Sequence, residues 1–327
     1  IHAHDFQMIG VAVTAAQNLR LNGGDSKVIY DAHELIEGLS YPKKLIRNWM
    51  REERNYITQI DTVICISSPQ AHRIKELHNL ESLPTVVLNC PPTETKSNHT
   101  KTIRDDLGVK GKILVYHGQV DPRRDLETLI YSLQFFSPDV HIAIVTNNRG
   151  AYINELETIV DGFSQVEHPL EKRLHFLPYV PAVDLPHYLS TADAAVIPQT
   201  KTKNHQIAMP NKLFESIHAK LPILASDVGA VANFVKENNV GTTYKSGSPE
   251  DLAKAGDLLL GDAEKYKENI SNTLLSQTTW EYQSKALLSA YEGALGFSPN
   301  ADPATHAVSI NVFDMPEIQN SRSKGLM

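Results

Sequence analysis

The sequence alternates between short runs of β-branched and apolar residues and longer stretches with the spacing of amphipathic helices. A strand followed by a helix, repeated along a chain, is typical of a parallel sheet with helices on its faces. Most of the strand-like runs are apolar without alternation, which indicates strands that are buried on both sides. The pattern therefore predicts an α/β protein with Rossmann-like sheets. The candidate strands are 27–30, 62–66 and 85–88 in the first part of the chain and 113–116, 141–145, 173–176, 194–197, 222–225 and 241–244 in the second.

The length and one polar stretch predict two domains. The chain has 327 residues, about twice the usual size of one domain. Apolar residues give way to Pro, Thr, Ser and charged residues in the segment 91–101, which is typical of a linker. We therefore expect a first domain over 1–95, a second over 103–279, a helix over 280–295 and an extended tail over 296–327.

Charge and cysteine content narrow the classes of function. Lys and Arg number 31 and Asp and Glu number 38, and the resulting net charge of −7 argues against a protein that coats nucleic acid. No apolar run reaches the roughly 18 residues that a membrane-spanning helix needs. The two cysteines, Cys65 and Cys90, are too few for a disulfide framework. We expect a cytoplasmic protein with no nucleic-acid partner.

The segment 209–227 predicts an anion site at the start of a helix. Asn211 is expected to be the N-cap, which puts Lys212 in the first turn. A helix N-terminus offers unpaired N–H groups and the positive end of the helix dipole, so it can hold a diphosphate. Glu215, one turn further on, could accept hydrogen bonds from two ribose hydroxyls. The same residues also fit an ordinary amphipathic helix with a surface lysine.

A second basic loop follows another candidate strand. Gly118 permits a close approach of the backbone to a ligand, and Arg123 and Arg124 carry planar donors that suit phosphate. Because the loops after parallel strands meet at the carboxyl edge of a sheet, both basic segments are expected to face one anion.

These segments carry a family resemblance. The segment 210–227 resembles the Pro-Asn-Lys-x-Phe-Glu stretch of the group 1 retaining glycosyltransferases, which have the GT-B fold, and 116–128 is similar to their Tyr-x-Gly … Arg-Gly-Leu-Glu segment. The helix at Trp280-Glu281 resembles the family helix that crosses back to the first domain. The resemblance covers about residues 1–295, with weaker matches, in chain order, at 30–34, 88–91 and 185–198.

The resemblance implies two Rossmann-like domains that face each other across a cleft, with the sugar donor bound in the second domain. It implies an enzyme that moves a hexose from a UDP- or GDP-sugar to a glycan or lipid-linked acceptor, with retention of configuration. Such enzymes need no cofactor beyond the donor and no metal, because fixed cations of the protein stabilise the diphosphate.

The resemblance also assigns roles to residues. Arg124 and Lys212 would stabilise the diphosphate leaving group and thereby act in catalysis. His33 would face the cleft near the transferred sugar as a third catalytic residue, and a hydrogen-bonded loop histidine is the alternative interpretation. The donor site would consist of Gly118, Arg124, Asn211, Lys212 and Glu215, without a metal ligand.

The sequence departs from the family at three positions. Ile207 stands eight residues before Glu215, where the family often has its first glutamate. Gln119 occupies a position that is often arginine, and Asp125 replaces the usual glycine. Other side chains could supply polar contacts to the sugar instead: Asn204, His205 or Gln206.

Two other functions fit the same features. The chain could be a non-catalytic nucleotide-sugar-binding subunit, which the missing first glutamate would suit, or a nucleotide-sugar epimerase on the same two-domain plan. A nicotinamide dehydrogenase is disfavoured, because no Gly-x-Gly-x-x-Gly motif follows a candidate strand.

The first domain is expected to be incomplete at its N-terminus. Family members open this domain with a glycine-rich loop and several strand–helix units, whereas this chain offers three complete candidate strands before the linker and the end of another strand before His2.

Two further segments leave alternatives open. His2-Ala3-His4-Asp5 is expected to form a polar loop at the edge of the cleft; it suggests a metal site, but further ligands are not evident and we predict none. The basic helix expected over 41–57 fits either peripheral contact with anionic lipid or packing on a sheet.

Overall fold

The computed structural model of the chain describes residues 1–93, 100–147, 150–161 and 170–296. Its strands form two sheets, and all the recorded strand pairs are parallel. The strands are β1 (His2–His4), β2 (Ile29–Ala32), β3 (Thr62–Cys65), β4 (Thr85–Val86), β5 (Lys112–His117), β6 (Val140–Thr146), β7 (Leu174–Pro178), β8 (Ala194–Ile197), β9 (Ile223–Ser226) and β10 (Gly241–Tyr244). The first sheet has the order β1-β2-β3-β4 and the second β10-β9-β8-β5-β6-β7.

Helices connect the strands and cover the sheets. They are α1 (Phe6–Leu21), α2 (Lys43–Ile57), α3 (Ser68–His78), α4 (Ile103–Leu107), α5 (Leu126–Tyr131), α6 (Ala151–Asp161), α7 (Leu185–Leu189), α8 (Lys203–Ile207), α9 (Asn211–His218), α10 (Gly229–Glu237), α11 (Pro249–Gly261), α12 (Ala263–Asn269), α13 (Asn272–Gln277) and α14 (Trp280–Leu295). Among the described residues, no helix is both long and apolar enough to cross a bilayer.

The predicted parallel sheets are confirmed. Each of the nine candidate strands is a strand, with ends that shift by at most two residues. In β5, Ile113 and Val115 pack into one apolar core while Leu114 and Tyr116 pack into another, so both faces of this central strand are covered. This double burial explains why its sequence is apolar without alternation.

The C-terminal helix α14 lies on the first sheet. Ala290 and Ala294 pack against Ile29 of β2, and the side chain of Gln283 accepts a hydrogen bond from the backbone N–H of Leu88 at 3.1 Å. The chain therefore returns to its N-terminal part after the second sheet is complete. The central part of the predicted linker, 94–99, and the predicted tail beyond 296 lie outside the described residues, and the domain boundaries stay a prediction.

A single carboxylate ties together the start of the second sheet. Asp193, just before β8, accepts hydrogen bonds from Arg104 Nη2 at 2.8 Å, from Lys112 Nζ at 3.0 Å and from the backbone N–H of Ile113 at 2.9 Å. The two central strands β5 and β8 are thus joined at their amino ends by a group that is largely shielded from water.

We expect Asp193→Ala to destabilise the fold. Hydrogen bonds to charged groups contribute roughly 1.5–3 kcal/mol each. The substitution removes the acceptor of three such bonds at once, so we expect the free energy of unfolding to fall by about 3 kcal/mol. Urea unfolding measures it. Glu264→Ala is the control, because its exposed carboxylate pairs with Lys267 at the surface and should change stability by less than about 1 kcal/mol. Equal losses in the two variants would contradict this account.

Candidate functional site

The loops at the carboxyl ends of both sheets line one cleft. His33 and Ile66 border it from the first sheet, and Gln119, Arg124 and Pro210 border it from the second. A second cavity adjoins the first and shares Ile66, Gln119 and Arg124 with it. The cavity volumes are about 260 and 400 Å³, near the lower end of the range of about 300–1,000 Å³ that is typical of small-molecule sites.

Helix α8 joins the two sides of this cleft. Asn204 Oδ1 accepts a hydrogen bond from the backbone N–H of Leu35 at 3.1 Å, and Ser67 Oγ donates to the carbonyl of Ile207 at 2.6 Å. The side chain of Ile207 packs against the core of the first sheet. The residue at the position of the family's first glutamate therefore has a packing role here. Asn204 was considered as a contact to the sugar, but its side-chain oxygen already accepts the hydrogen bond from the backbone of Leu35.

Lys212 lies half-buried in the first turn of α9. Its Nζ is 3.8 Å from the ring centroid of Tyr116, an arrangement in which the ring face attracts the cation. Burial and the charge of Arg124 hold the pKa of Lys212 well below its usual range, and Glu215 opposes them only in part. A Cβ on Gly118, which has a φ of 114°, would lie 3.3 Å from Nζ. The glycine therefore makes room for the cation.

The two arginines of the 3₁₀ turn Pro122–Arg124 have different surroundings. Arg123 binds the carboxylate of Asp121 twice, through Nε at 2.7 Å and Nη2 at 3.1 Å. Arg124 lines both cavities and, within the described ranges, has no carboxylate oxygen within 4 Å. The sequence analysis offered both arginines as phosphate donors, and the geometry favours Arg124.

The structure explains how Asp125 can occupy a position where the family usually has glycine. Its φ of 55° lies in the left-handed region, which glycine adopts most readily and which Asp tolerates. Its carboxylate accepts hydrogen bonds from Thr128 Oγ1 at 2.6 Å and from the N–H of Gly247 at 3.1 Å. These two bonds hold the turn that presents Arg124 to the cleft.

The prediction that Asn211 caps α9 is wrong. The helix begins at Asn211 itself, Pro210 occupies the N-cap, and no side chain makes a capping hydrogen bond there. Proline suits this position because its ring fixes the extended entry to the helix and offers no polar atom. The N-terminus of α9 thus lines the second cavity without a side-chain cap, in accord with the predicted anion site.

Glu215 is held by a histidine that the sequence analysis did not assign. Its Oε2 lies 2.9 Å from Nε2 of His117, and both side chains are largely buried. His117 is the last residue of β5 and lines the same cavity as Lys212. The imidazole fixes the direction of the carboxylate, and this contact appears only when β5 and α9 are brought side by side.

The predicted site residues gather at this cleft. Arg124 borders both cavities, and His33 borders the first, where its side chain is about half exposed. The second cavity is lined by the remaining predicted donor residues: Gly118, Asn211, Lys212 and Glu215.

The histidines at the start of the chain have more partners than their sequence indicates. The expectation that they sit on a loop is wrong, because His2 and His4 belong to β1 and face Asp31. Asp5, their neighbour in sequence, is turned away and accepts a hydrogen bond from the N–H of Phe6 at 3.0 Å. Asp31 is a further potential metal ligand beside the two histidines, so the expectation that further ligands are not evident is also wrong.

The family model described as glycosyl transferases group 1 matches residues 100–274. The chain belongs to this family. A curated relative is the D-inositol 3-phosphate glycosyltransferase of Nocardia farcinica (strain IFM 10152), which is 20% identical over 254 residues; the match covers 74% of this chain and 55% of the relative. The chain thus spans little more than half the length of that relative.

Solved structures agree on the fold. Anabaena HepE in complex with UDP and glucose has a TM-score of 0.73 at 17% identity, covering 89% of this chain and 77% of that one. Sucrose-phosphate synthase from Thermosynechococcus elongatus has a TM-score of 0.67 at 19% identity, covering 90% and 73%. The predicted GT-B fold of the chain is confirmed.

We expect the His117–Glu215 pair to make the free energy of unfolding depend on pH. Burial lowers the pKa of His117 more than Glu215 raises it. The unfolded chain, whose histidines titrate near pH 6.5, therefore binds more protons, and stability is lost as the pH falls from about 6.5 towards the lower folded-state pKa. His117→Gln should flatten this part of the curve by up to about 1.4 kcal/mol per unit of pKa difference.

Urea unfolding at several pH values between about 7.5 and 5.5 measures this slope. His72→Gln is the matched control, since His72 is exposed on α3, and it should keep the slope of the parent. A parent-like slope in His117→Gln would contradict the assignment.

Proposed function

We propose that the second sheet of this group 1 glycosyltransferase binds a UDP- or GDP-activated hexose, and that the cleft transfers the hexose to a glycan or lipid-linked acceptor with retention of configuration. The observation that carries the proposal is the pair of cations, Arg124 and Lys212, at one cavity beside an uncapped helix N-terminus. Retention and the class of acceptor rest on the family resemblance alone.

Lys212 and Arg124 form no ion pair with a carboxylate of the described residues, so an anionic ligand would stabilise both. A half-buried ammonium group that has lost much of its hydration and pairs with no carboxylate is unfavourable, and a second cation beside it adds repulsion. A diphosphate carries the charge and the oxygen atoms to pair with Lys212, Arg124 and the first N–H groups of α9 together.

The same groups supply the proposed chemistry. As the bond between the sugar and the diphosphate breaks, negative charge grows on the leaving oxygen. Cations that are already in position stabilise this charge without rearrangement, which is how an active site lowers such a barrier. We therefore propose that no metal is needed at the diphosphate and that no cofactor besides the donor takes part. His33, across the cleft, would contact the transferred sugar from the side of the first sheet.

Glu215 completes the donor site. Its carboxylate lies one turn after Lys212 and is oriented by His117, so an oxygen can accept from ribose hydroxyls. The complexes of Anabaena HepE with UDP, with UDP-glucose and with UDP and glucose support a UDP-linked donor for this fold. Gly118 would let the diphosphate approach the backbone after β5.

Peripheral contact with a membrane would have to be electrostatic. The apolar side chains of Ile46, Trp49 and Met50 on α2 pack partly against the core of the first sheet. The five basic residues of this helix are exposed: Lys43, Lys44, Arg47, Arg51 and Arg54. We propose that this basic surface contacts anionic lipid when the acceptor is lipid-linked.

One observation favours a second function, a non-catalytic nucleotide-sugar-binding subunit. Ile207 occupies the position of the family's first glutamate and its side chain packs on the first sheet. Binding of nucleotide diphosphates without turnover of any nucleotide-sugar, with or without acceptors, would support this alternative.

We expect Arg124→Ala and Lys212→Ala each to weaken the binding of UDP or GDP by about 10- to 150-fold, because each removes a charge-assisted hydrogen bond worth roughly 1.5–3 kcal/mol. The affinity for uridine or guanosine should change little. Isothermal titration calorimetry measures both. Arg123→Ala is the matched control, since this neighbouring guanidinium is bound to Asp121. Equal affinities of all three variants for the diphosphates would refute the phosphate assignment.

We expect Glu215→Gln to weaken binding of the nucleoside itself by about 10-fold or more, because an amide lacks the charge that strengthens hydrogen bonds from hydroxyl groups. The 2′-deoxynucleoside diphosphate serves as the probe of the ribose contact. The parent should bind it more weakly than the ribose form, and the variant should bind both alike. A variant that still discriminates between the two sugars would show that Glu215 does not hold the ribose.

A further inference from the structure

Four side chains of the first sheet converge on one point at the edge of the cleft. Asp31 Oδ2 lies 3.5 Å from His4 Nδ1, 3.5 Å from His33 Nε2 and 3.8 Å from His2 Nε2. His4 Nδ1 and His33 Nε2 are 3.3 Å apart. Ligand atoms of His2, His4 and Asp31 all lie within 4.8 Å of one another. The cluster thus offers three imidazole nitrogens and one carboxylate oxygen.

These distances suit metal ligands better than hydrogen bonds. Hydrogen bonds between N–H groups and oxygen span about 2.7–3.2 Å, which is shorter than every contact of Asp31 Oδ2 in the cluster. Zn²⁺ binds nitrogen and oxygen ligands at about 2.0–2.1 Å, so two ligand atoms of a tetrahedral site lie about 3.3–3.4 Å apart. The triangle formed by His4, His33 and Asp31, with edges of 3.3, 3.5 and 3.5 Å, is close to one face of such a tetrahedron.

His2 adds a polar atom that lacks a partner. Its Nε2 is buried and has no hydrogen-bond partner among the described residues, whereas its Nδ1 lies 2.6 Å from the hydroxyl of Tyr291 on α14. In metal sites the second nitrogen of a histidine commonly binds an outer group in this way, which fixes the ring and leaves the other nitrogen for the metal. The ring of His2 also stacks on that of His4, with centroids 4.3 Å apart.

The sheet itself holds the ligands in place. β1 and β2 are parallel neighbours, and His4 is paired with Asp31 in their register. Side chains two residues apart project from the same side of a strand, so His2 and His4 share one direction. His4 and Asp31 therefore stand side by side, with His2 two residues before His4 on β1 and His33 two residues after Asp31, just beyond the end of β2. A buried alanine separates the two polar residues of each segment.

We propose that His2, His4, Asp31 and His33 bind a divalent transition-metal cation of the Zn²⁺ class. Imidazole nitrogens with one carboxylate favour Zn²⁺ over Mg²⁺ or Ca²⁺, which prefer oxygen ligands. The site lies on the first sheet and does not include the cations of the second sheet. The proposal therefore does not rest on the proposed diphosphate contacts, and His33 is the one residue that belongs to both sites.

Isothermal titration of the chelator-treated full chain with Zn²⁺ tests the proposal. We expect one tight site per chain, lost or weakened by about 100-fold or more in His4→Ala and in His33→Ala. Both side chains are about half exposed, so their truncation leaves the core intact. Tyr291→Phe, which removes the outer hydrogen bond, should weaken binding by about 10- to 100-fold. Co²⁺ in place of Zn²⁺ should give the intense visible absorption of tetrahedral coordination.

Two control variants make the result specific. His72→Ala removes an exposed histidine, and His141→Ala disrupts the other close imidazole pair of the described residues, His141–His175. Both should bind Zn²⁺ like the parent. Absence of a tight site, or a tight site that survives His4→Ala and His33→Ala, would overturn the proposal. Titration of UDP in the presence of EDTA tests the donor site separately, so failure of one proposal leaves the other measurable.

Discussion

The cleft is organised around two positive charges, on Lys212 and Arg124, that form no ion pair with a carboxylate of the residues the structure describes. Lys212 lies against the face of Tyr116, with Arg124 close enough to lower its pKa. An ammonium group in this position opposes folding, because burial removes water and the carboxylate of Glu215 compensates for the loss only in part. Gly118 keeps the space beside Nζ open, since a Cβ would come within 3.3 Å of it. The proposed entry of a diphosphate would recover this free energy, and we therefore expect the pocket to select for negative charge.

Two of the three departures from the family pattern, Asp125 and Ile207, are structural replacements around these charges, whereas nothing in the structure explains Gln119. Asp125 adopts the left-handed turn that a glycine would provide, and adds two hydrogen bonds that hold the loop of Arg124. Ile207 joins α8 to the core of the first sheet, while its carbonyl accepts from Ser67. Neither change removes a cation from the cleft. The missing glutamate alters the wall on the sugar side and leaves the phosphate side unchanged.

The sequence predicted much of the fold and part of the site. Long apolar runs indicated the central strands, and the rule that loops after parallel strands converge placed Gly118, Lys212 and Arg124 at one cavity. The end of the first strand was expected before His2, whereas β1 is His2–His4, because His-Ala-His carries no apolar signal. The contact of His117 with Glu215 depends on which strand lies beside which helix, and the sequence does not show this.

The two sheets present different chemistry to the same cleft. The second supplies fixed positive charge, and the first supplies imidazole nitrogens around a carboxylate whose pKa stays low because the nearby histidines outweigh the effect of burial. His33 is the only proposed catalytic residue that also belongs to this cluster. Its Nε2 points at His4 and Asp31, and one lone pair can bind either a metal or a hydroxyl of the sugar at a given moment. A cation at the cluster would therefore withdraw this nitrogen from the donor, and the two uses of His33 exclude each other.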